Sequence, residues 1–165
     1  MHKKSTFVWL TLILVIILAA CSTPATPTTT TNSTNINPST AAKLNLNTVT
    51  SDELLAAIPG FGSRMVREFQ EYRPYISIQQ FRQEIGKYVD DAQIAEYEKY
   101  VYVPIAINDS DAATLQQIPG LDSAEADALK SARPYASTDA FLTKLSEFVS
   151  ANELETAKSY LEANQ

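Results

Sequence analysis

The feature that most constrains the fold is an internal repeat with a spacing of 60 residues. Ile58-Pro59-Gly60 recurs as Ile118-Pro119-Gly120, and Arg73-Pro74-Tyr75 recurs as Arg133-Pro134-Tyr135. The same spacing relates five further pairs: Phe81 and Phe141, Ile85 and Leu145, Val89 and Val149, Ile94 and Leu154, Tyr100 and Tyr160. A constant offset through so many unlike residues indicates a duplicated structural unit. The sequence therefore predicts two units, the first half (residues 43–103) and the second half (residues 104–165).

Signals for the starts of helices recur in both halves. They are Thr50-x-x-Glu53, Ser63, Ser77-x-x-Gln80 and Asp90 or Asp91, then Asp109-x-Asp111, Asp122-x-x-Glu125, Thr138 and Ser150-x-x-Glu153. Such side chains accept hydrogen bonds from the free N–H groups of a first helical turn. Apolar residues follow them at helical spacing. We therefore expect an all-α fold of two pseudo-repeats, each with about four short helices, joined by a buried, extended segment at Tyr100–Ile105.

The first 42 residues differ in composition from the rest of the chain. Residues 1–20 place Lys3 and Lys4 before an apolar run over Phe7–Leu18, which is typical of a secretory signal peptide. This run is shorter than the roughly 20 residues that a membrane-spanning helix needs. Residues 21–42 contain Thr, Pro, Asn and Ser without any charge, so a disordered tether is predicted. An uncleaved anchor helix is the alternative.

Leu18-Ala19-Ala20-Cys21 resembles the lipobox of bacterial lipoproteins. The resemblance implies cleavage before Cys21, a diacylglycerol on its sulfur and usually an acylated amine, and such multiple chains anchor a protein stably. The expected location is extracytoplasmic, lipid-anchored to the cell membrane or, in a double-membrane bacterium, to the outer membrane. Because Cys21 is the only cysteine, no intrachain disulfide can form.

Three of the four glycines lie in the two Ile-Pro-Gly turns, namely Gly60, Gly62 and Gly120. A short apolar helix, a Pro-Gly-apolar-Gly turn and a second helix form the pattern of the helix-hairpin-helix motif, which has a SAM-like fold. Residues 44–75 resemble the ComEA-like family of competence DNA receptors. The matching marks are Leu46-Asn47-Thr48, Leu54, Ile58-Pro59-Gly60-Phe61-Gly62 and Tyr72-Arg73.

In that family the hairpin binds the phosphate backbone of DNA without reading sequence. The resemblance therefore implies a DNA-backbone site at Gly60, Gly62, Ser63, Arg64 and Arg67. The glycines would let a phosphate oxygen reach N–H groups at a helix N-terminus, where the helix dipole favours an anion. The two arginines would add positive charge.

The family pattern is lost at a second hairpin and in the second half. The family has another glycine turn about thirty residues later, but here Asp90 and Asp91 follow Ile85-Gly86-Lys87. In the second half, acids or alanine replace the site residues: Asp122 for Gly62, Ala124 for Arg64 and Asp127 for Arg67. Residues 43–103 carry seven basic and nine acidic side chains, whereas residues 104–165 carry four and ten. We expect the second half to repel DNA.

Other polar and aromatic residues are given structural interpretations. Arg73-Pro74-Tyr75 is expected to form a structural corner, and Phe61 to fill the core. Arg82 and Lys87 are expected to lie on a solvated helix face. The tyrosines expected to pack within and between the halves are Tyr88, Tyr97, Tyr100 and Tyr102.

Two functions stay open at this point. The first is weak, sequence-independent binding of duplex DNA by the first hairpin, as in DNA uptake at the cell envelope. The second is a protein-interaction or structural module with an envelope protein as partner, because the hairpin fold also occurs in proteins that do not bind DNA, such as an extrinsic subunit of photosystem II. In both, Cys21 supplies the membrane contact. The net charge of −6 opposes tight DNA binding.

Catalysis is not expected. His2 is the only histidine, so the chain offers neither a Ser/His pair for nucleophilic catalysis nor a His/Cys cluster for a transition metal. A Walker-type phosphate loop is absent. The sequence predicts no enzyme activity, no cofactor and no metal site.

Overall fold

The computed structural model describes residues 42–162. The predicted signal peptide, Cys21 and all of the predicted tether except Ala42 lie outside the described residues. In chain order the described elements are β1 Leu44–Asn45, α1 Ser51–Ala57, α2 Ser63–Glu71, α3 Ile78–Ile85, α4 Asp91–Tyr97, β2 Val101–Tyr102, α5 Ala112–Leu115, α6 Ser123–Ser131, α7 Thr138–Leu145 and α8 Ala151–Tyr160. The predicted all-α character is confirmed, with one pair of two-residue strands added.

Side chains cap the N-termini of all these helices except α2. Three starts are complete capping boxes, at Thr50, Asp122 and Ser150, each with a glutamate three residues later. The other capping side chains are Ser77, Asp90, Asp111 and Ser137. The sequence placed the start of α7 at Thr138, which is its first helical residue, while Ser137 accepts the capping hydrogen bond. Each such cap stabilises its helix by about 1 kcal/mol.

The buried apolar side chains form two clusters, one in each half. The first extends from Leu46 to Val103 and the second from Tyr102 to Tyr160. An edge-to-face aromatic pair recurs in both: Tyr75 with Phe81 at 5.6 Å between ring centroids, and its equivalent in the second cluster at 5.2 Å. Such pairs contribute beyond their buried area. The repeated apolar positions are therefore core positions.

The beginning of each half pairs with its end. β1 lies parallel to β2, with the Leu44 N–H 2.8 Å from the carbonyl oxygen of Tyr100. In the second half the Ile105 N–H bonds to the carbonyl oxygen of Tyr160 at 2.8 Å. Residues 101–105 are all buried, which confirms most of the predicted buried segment, but Tyr100 is half-buried and lies in the turn that follows α4.

The Arg-Pro-Tyr corners are held by two asparagines. The Asn47 side chain accepts from the Tyr75 N–H at 2.7 Å and donates to its carbonyl at 2.9 Å. Asn108 makes the same two bonds to Tyr135, at 2.8 and 3.1 Å. The arginine of each corner donates to backbone carbonyls of the same region, and both Arg-Pro peptide bonds are cis. The hydrogen bonds confirm the structural interpretation of the corners.

Contacts between α3 and α5 join the two halves. The Ile78 N–H donates to Thr114 Oγ1 at 2.9 Å, and Thr114 is fully buried. The Gln117 side chain bonds to both the N–H and the carbonyl of Val103, at 2.9 and 3.1 Å. The hydroxyl of Tyr102 donates to the Ser159 carbonyl at 2.9 Å. These bonds join residues of the first half to residues of the second, as expected for packing between halves.

Tyr75 and Tyr135 form a matched pair for a stability test. The Tyr135 hydroxyl donates to the Leu129 carbonyl at 2.8 Å, whereas the Tyr75 hydroxyl is buried without a hydrogen-bond partner among residues 42–162. We expect Tyr135→Phe to lower the free energy of unfolding by about 1 kcal/mol, and Tyr75→Phe to leave it unchanged or raise it. Urea unfolding followed by circular dichroism measures both. Equal losses would contradict the absence of a partner for Tyr75.

Candidate nucleic-acid interface

The turn between α1 and α2 is anchored by two buried side chains. Ile58 ends α1 and is 3 % exposed. The Phe61 ring packs edge to face on Phe69 and Tyr97, with centroids 4.8 and 5.2 Å away, which confirms its predicted core role. Between them Gly60 adopts φ of +70°, a conformation that glycine takes without a steric penalty. The two anchors fix the turn, while Gly60 lies on its exposed side.

The N-terminus of α2 is open. Its N-cap is Gly62, which has no side chain to accept a hydrogen bond. The prediction that Ser63 caps this helix is wrong: Ser63 is the first helical residue, because the extended cap conformation falls on Gly62. The N–H groups of Ser63, Arg64 and Met65 have no acceptor among the described residues. Three donors and the positive end of the helix dipole therefore face outward together.

The two predicted arginines lie beside this open end. Arg64 and Arg67 are exposed on the first two turns of α2, and the Arg67 side chain is 70 % exposed. The only ion pair of Arg67 with a described residue is a 3.7 Å contact to Glu68. The structure thus brings Gly60, Gly62, Ser63, Arg64 and Arg67 together on one exposed turn and the helix that follows it. This grouping can hold an oxyanion by N–H donors and positive charge.

The corresponding turn in the second half is closed. Gly120 adopts φ of +81°, so the backbone turn is preserved. Asp122 caps α6 and forms a capping box with Glu125. The carboxylate of Glu153, from the first turn of α8, lies against Gly120: a β-carbon built on this glycine would be 2.5 Å from Glu153 Oε1. The carboxylates of Asp122, Glu125 and Glu153 therefore surround the second turn at the position where the first turn has free N–H groups.

The contact of Glu153 with Gly120 was not predicted. The sequence identified Glu153 only as the capping-box partner of Ser150, and the structure confirms that bond at 2.8 Å between the Ser150 N–H and Glu153 Oε2. This bond lowers the pKa of Glu153, so the carboxylate is ionised at neutral pH. No local sequence signal brings α8 to the second turn, since the contact depends on tertiary packing.

The cations of α3 and its following turn are held by acids. Arg82 donates to both carboxylate oxygens of Glu98, at 2.6 and 2.8 Å, which raises the pKa of Arg82. Lys87 pairs with Glu84 and lies over the Tyr72 ring, 4.9 Å from its centroid. Both side chains stay about half exposed, at 47 and 52 %, so the predicted solvated face is confirmed, and the ion pairs add to it.

A hydrogen-bonded cluster next to Arg64 was missed by the sequence analysis. The hydroxyls of Tyr72 and Tyr88 are hydrogen-bonded, 2.7 Å apart. This bond, together with the nearby carboxylate of Glu68, raises the pKa of Tyr88. Glu68 is only 6 % exposed, which is unusual for a carboxylate. The guanidinium carbon of Arg64 lies 5.9 Å from the centroid of the Tyr88 ring.

The cations of the second half are all paired or buried among residues 104–162. The ion pairs lie within single helices or at their ends: Lys130 with Asp127, Lys144 with Glu147, and Lys158 with Glu155. Arg133 donates to backbone carbonyls within its corner. With four basic and ten acidic side chains, residues 104–165 keep an acidic excess beyond these three pairs.

No protein-family model, curated protein or solved structure matches this chain. Within residues 42–162, no helix combines the length and the apolar character needed to span a membrane. Over the same residues, no group of three or more His, Cys, Asp or Glu side chains is arranged to hold a metal ion. The candidate site is consequently defined by the geometry of the chain alone.

Alanine substitutions at Gly60 and Gly120 test whether Glu153 packs on the second turn. Gly60→Ala meets no atom within 4 Å but keeps a positive φ, so we expect a loss of about 1 kcal/mol in the free energy of unfolding. Gly120→Ala must also displace the Glu153 carboxylate from its cap, which adds about 1 kcal/mol. Urea unfolding measures the difference. Equal losses would show that Glu153 does not pack on the turn.

Proposed function

We propose that this protein binds duplex DNA weakly and without sequence preference, through the phosphate backbone, at Gly60, Gly62, Ser63, Arg64 and Arg67. The observation that carries the proposal is the open N-terminus of α2 beside two exposed arginines. We infer that α1, α2 and their turn form a helix-hairpin-helix unit of the ComEA-like type and that residues 104–165 form a second, degenerate unit.

Comparison of the two halves supports a binding role for the first turn. Both turns keep the proline, the glycine with positive φ and the buried apolar residue that follows it. They differ at the helix end, where Gly62 is replaced by the capping Asp122. Since a capped helix is the more stable arrangement, an uncapped end that persists in one half is best explained by a ligand that supplies the missing acceptor.

The aromatic residues support contact with the backbone of DNA over contact with its bases. Proteins that bind single strands stack bases on exposed aromatic side chains. Every aromatic side chain within residues 42–162 is buried or half-buried. The phosphate groups are thus the part of DNA that the described surface can recognise.

The expected affinity is low. One helix end and two arginines can neutralise only about two or three phosphates, which corresponds to a slope of about −2 to −3 in log K against log salt. Binding should therefore be detectable at low salt and lost near physiological salt. The acidic side chains of the second half repel the phosphates of DNA, so we expect no further contacts there.

We also propose that Cys21 carries a lipid anchor on the outer side of a membrane. The support is the lipobox-like Leu18-Ala19-Ala20-Cys21 after an apolar run. Cys21→Ser should abolish incorporation of labelled fatty acid and leave an uncleaved precursor of higher mass, since the acceptor thiol is lost. Metabolic labelling and mass spectrometry check this, with Ser22→Ala as the matched control. Unchanged labelling in Cys21→Ser would refute the anchor.

The DNA proposal is tested by a salt titration. We expect the full chain, purified in nonionic detergent, to bind fluorescently labelled duplexes of unrelated sequence with similar affinity at low salt. Arg64→Ala/Arg67→Ala should lower the affinity and reduce the salt slope by about 1.8, because each phosphate contact contributes about 0.9. Lys130→Ala/Lys144→Ala removes the same charge from the second half and should change neither value. Absence of binding at high micromolar protein would overturn the proposal.

Gly62→Asp separates stability from binding in the same assay. Nothing lies within 4 Å of a β-carbon at Gly62, and its φ of −102° resembles the −89° of Asp122. The new carboxylate should cap α2, so stability is kept or rises by a few tenths of a kcal/mol, while DNA binding is lost. Gly62→Asn caps without charge and should bind better than Gly62→Asp. Binding that survives Gly62→Asp would place the site elsewhere.

A protein-interaction module of the envelope is the second candidate function. The observation that favours it is the acidic excess of the second half, which has ten acidic and four basic side chains and whose lysines are all in ion pairs with acids. Such a surface suits a basic protein partner. If the full chain shows no DNA binding at low salt, this candidate becomes the preferred function.

A further inference from the structure

Arg64 lies over an aromatic ring that its own helix does not supply. The guanidinium carbon is 5.9 Å from the centroid of Tyr88, which lies in the turn between α3 and α4. A guanidinium at this distance is attracted to the electron-rich face of the ring. The contact restricts an exposed side chain that otherwise samples many rotamers.

The Tyr88 ring is itself held by a hydrogen bond. Its hydroxyl is 2.7 Å from the Tyr72 hydroxyl, and the carboxylate of Glu68 lies nearby. Glu68 is 6 % exposed, and the nearby Arg67 approaches it at 3.7 Å. Arg64, Glu68 and Tyr72 are spaced by four residues on one face of α2 and thus share this side of the helix. The cluster connects the open helix end to the α3–α4 turn.

The second half shows that the fold does not need this cluster. The equivalents of Arg64, Glu68, Tyr72 and Tyr88 are Ala124, Ala128, Ala132 and Phe148. Nevertheless α6 has the same nine-residue length as α2, and it is followed by the same corner. The cluster therefore occurs only in the half whose turn is open, which points to a role at that turn.

We propose that Tyr88, held by its hydrogen bond to Tyr72, is a positioning residue that keeps Arg64 beside the open N-terminus of α2. This inference rests on the proposed function, since its effect is read through the phosphate contact of Arg64. A pre-positioned arginine loses less rotamer freedom when it meets a phosphate, so the ring raises affinity without touching DNA.

The test uses variants that leave the charge of the protein unchanged. Tyr88→Leu should weaken binding of the labelled duplex about two- to fivefold, the range expected for an exposed cation–π contact. Its salt slope should move toward that of Arg64→Ala, although no charge has been removed. Phe148→Leu removes the equivalent ring of the second half and should leave both affinity and slope as in the wild type. Thermal unfolding of each variant shows whether it remains folded.

A double-mutant cycle distinguishes positioning from a general loss of structure. In the Arg64→Ala background, Tyr88→Leu should cause no further loss of affinity. Tyr88→Phe keeps the ring but removes its hydrogen bond to Tyr72, so its loss should be smaller and should also vanish in that background. If Tyr88→Leu does not fold, the cycle with Tyr88→Phe decides the question.

Each outcome has a separate meaning for the two proposals. If Arg64→Ala weakens binding while folded Tyr88→Leu keeps the wild-type affinity and slope, only the positioning role is overturned. Additive losses in the double-mutant cycle also overturn it. If the wild type does not bind DNA at low salt, both the proposed function and the positioning role are overturned.

Discussion

The bonds between an asparagine side chain and the peptide of the corner tyrosine fix the geometry on which each half depends. Asn47 satisfies both the N–H and the carbonyl of Tyr75, 28 residues along the chain. The chain forms α1 and α2 between these two residues. The bonds therefore fix how the end of α2 packs against the segment that precedes α1. They thereby set the direction in which the N-terminus of α2 points. The same pair of bonds in the second half, from Asn108 to Tyr135, explains why the two turns have the same form.

Because these hydrogen bonds fix the backbone of each half, the turn residues can differ in charge without a change of fold. Gly62 and Asp122 have similar backbone conformations, so replacing one by the other changes electrostatics without changing the fold. Relative to glycine, the aspartate cap stabilises α6 by a few tenths of a kcal/mol. The glycine leaves α2 without that stabilisation but with free donors. The proposed site of the first half therefore costs a small amount of stability that the second half keeps.

The sequence predicted features that depend on neighbouring residues. The repeat offset located the core positions, and Ser, Thr and Asp followed by Glu identified the caps, because capping links residues only three apart. The local pattern predicted the wrong N-cap for α2. Ser63 has a side chain that is preferred at this position, but the extended backbone conformation of an N-cap falls on Gly62. Contacts between elements that are far apart in the sequence could not be predicted from such local patterns. Examples are Glu153 with Gly120, Arg82 with Glu98, and Tyr72 with Tyr88. Nothing in the spacing of those residues indicates that they meet.

The site is electropositive only at short range, and this determines the conditions in which it can act. The chain has a net charge of −6, yet at physiological salt charges farther away than about 8 Å are largely screened. A phosphate at the first turn then responds mainly to the helix end and the adjacent arginines. At about 0.01 M salt the screening length rises to about 30 Å, so the acids of the second half begin to oppose the contact. The attraction and the repulsion therefore grow together as salt is lowered. Under the proposed function, the uneven distribution of acids between the halves limits DNA binding to a small contact, whose strength depends on how well Arg64 is held.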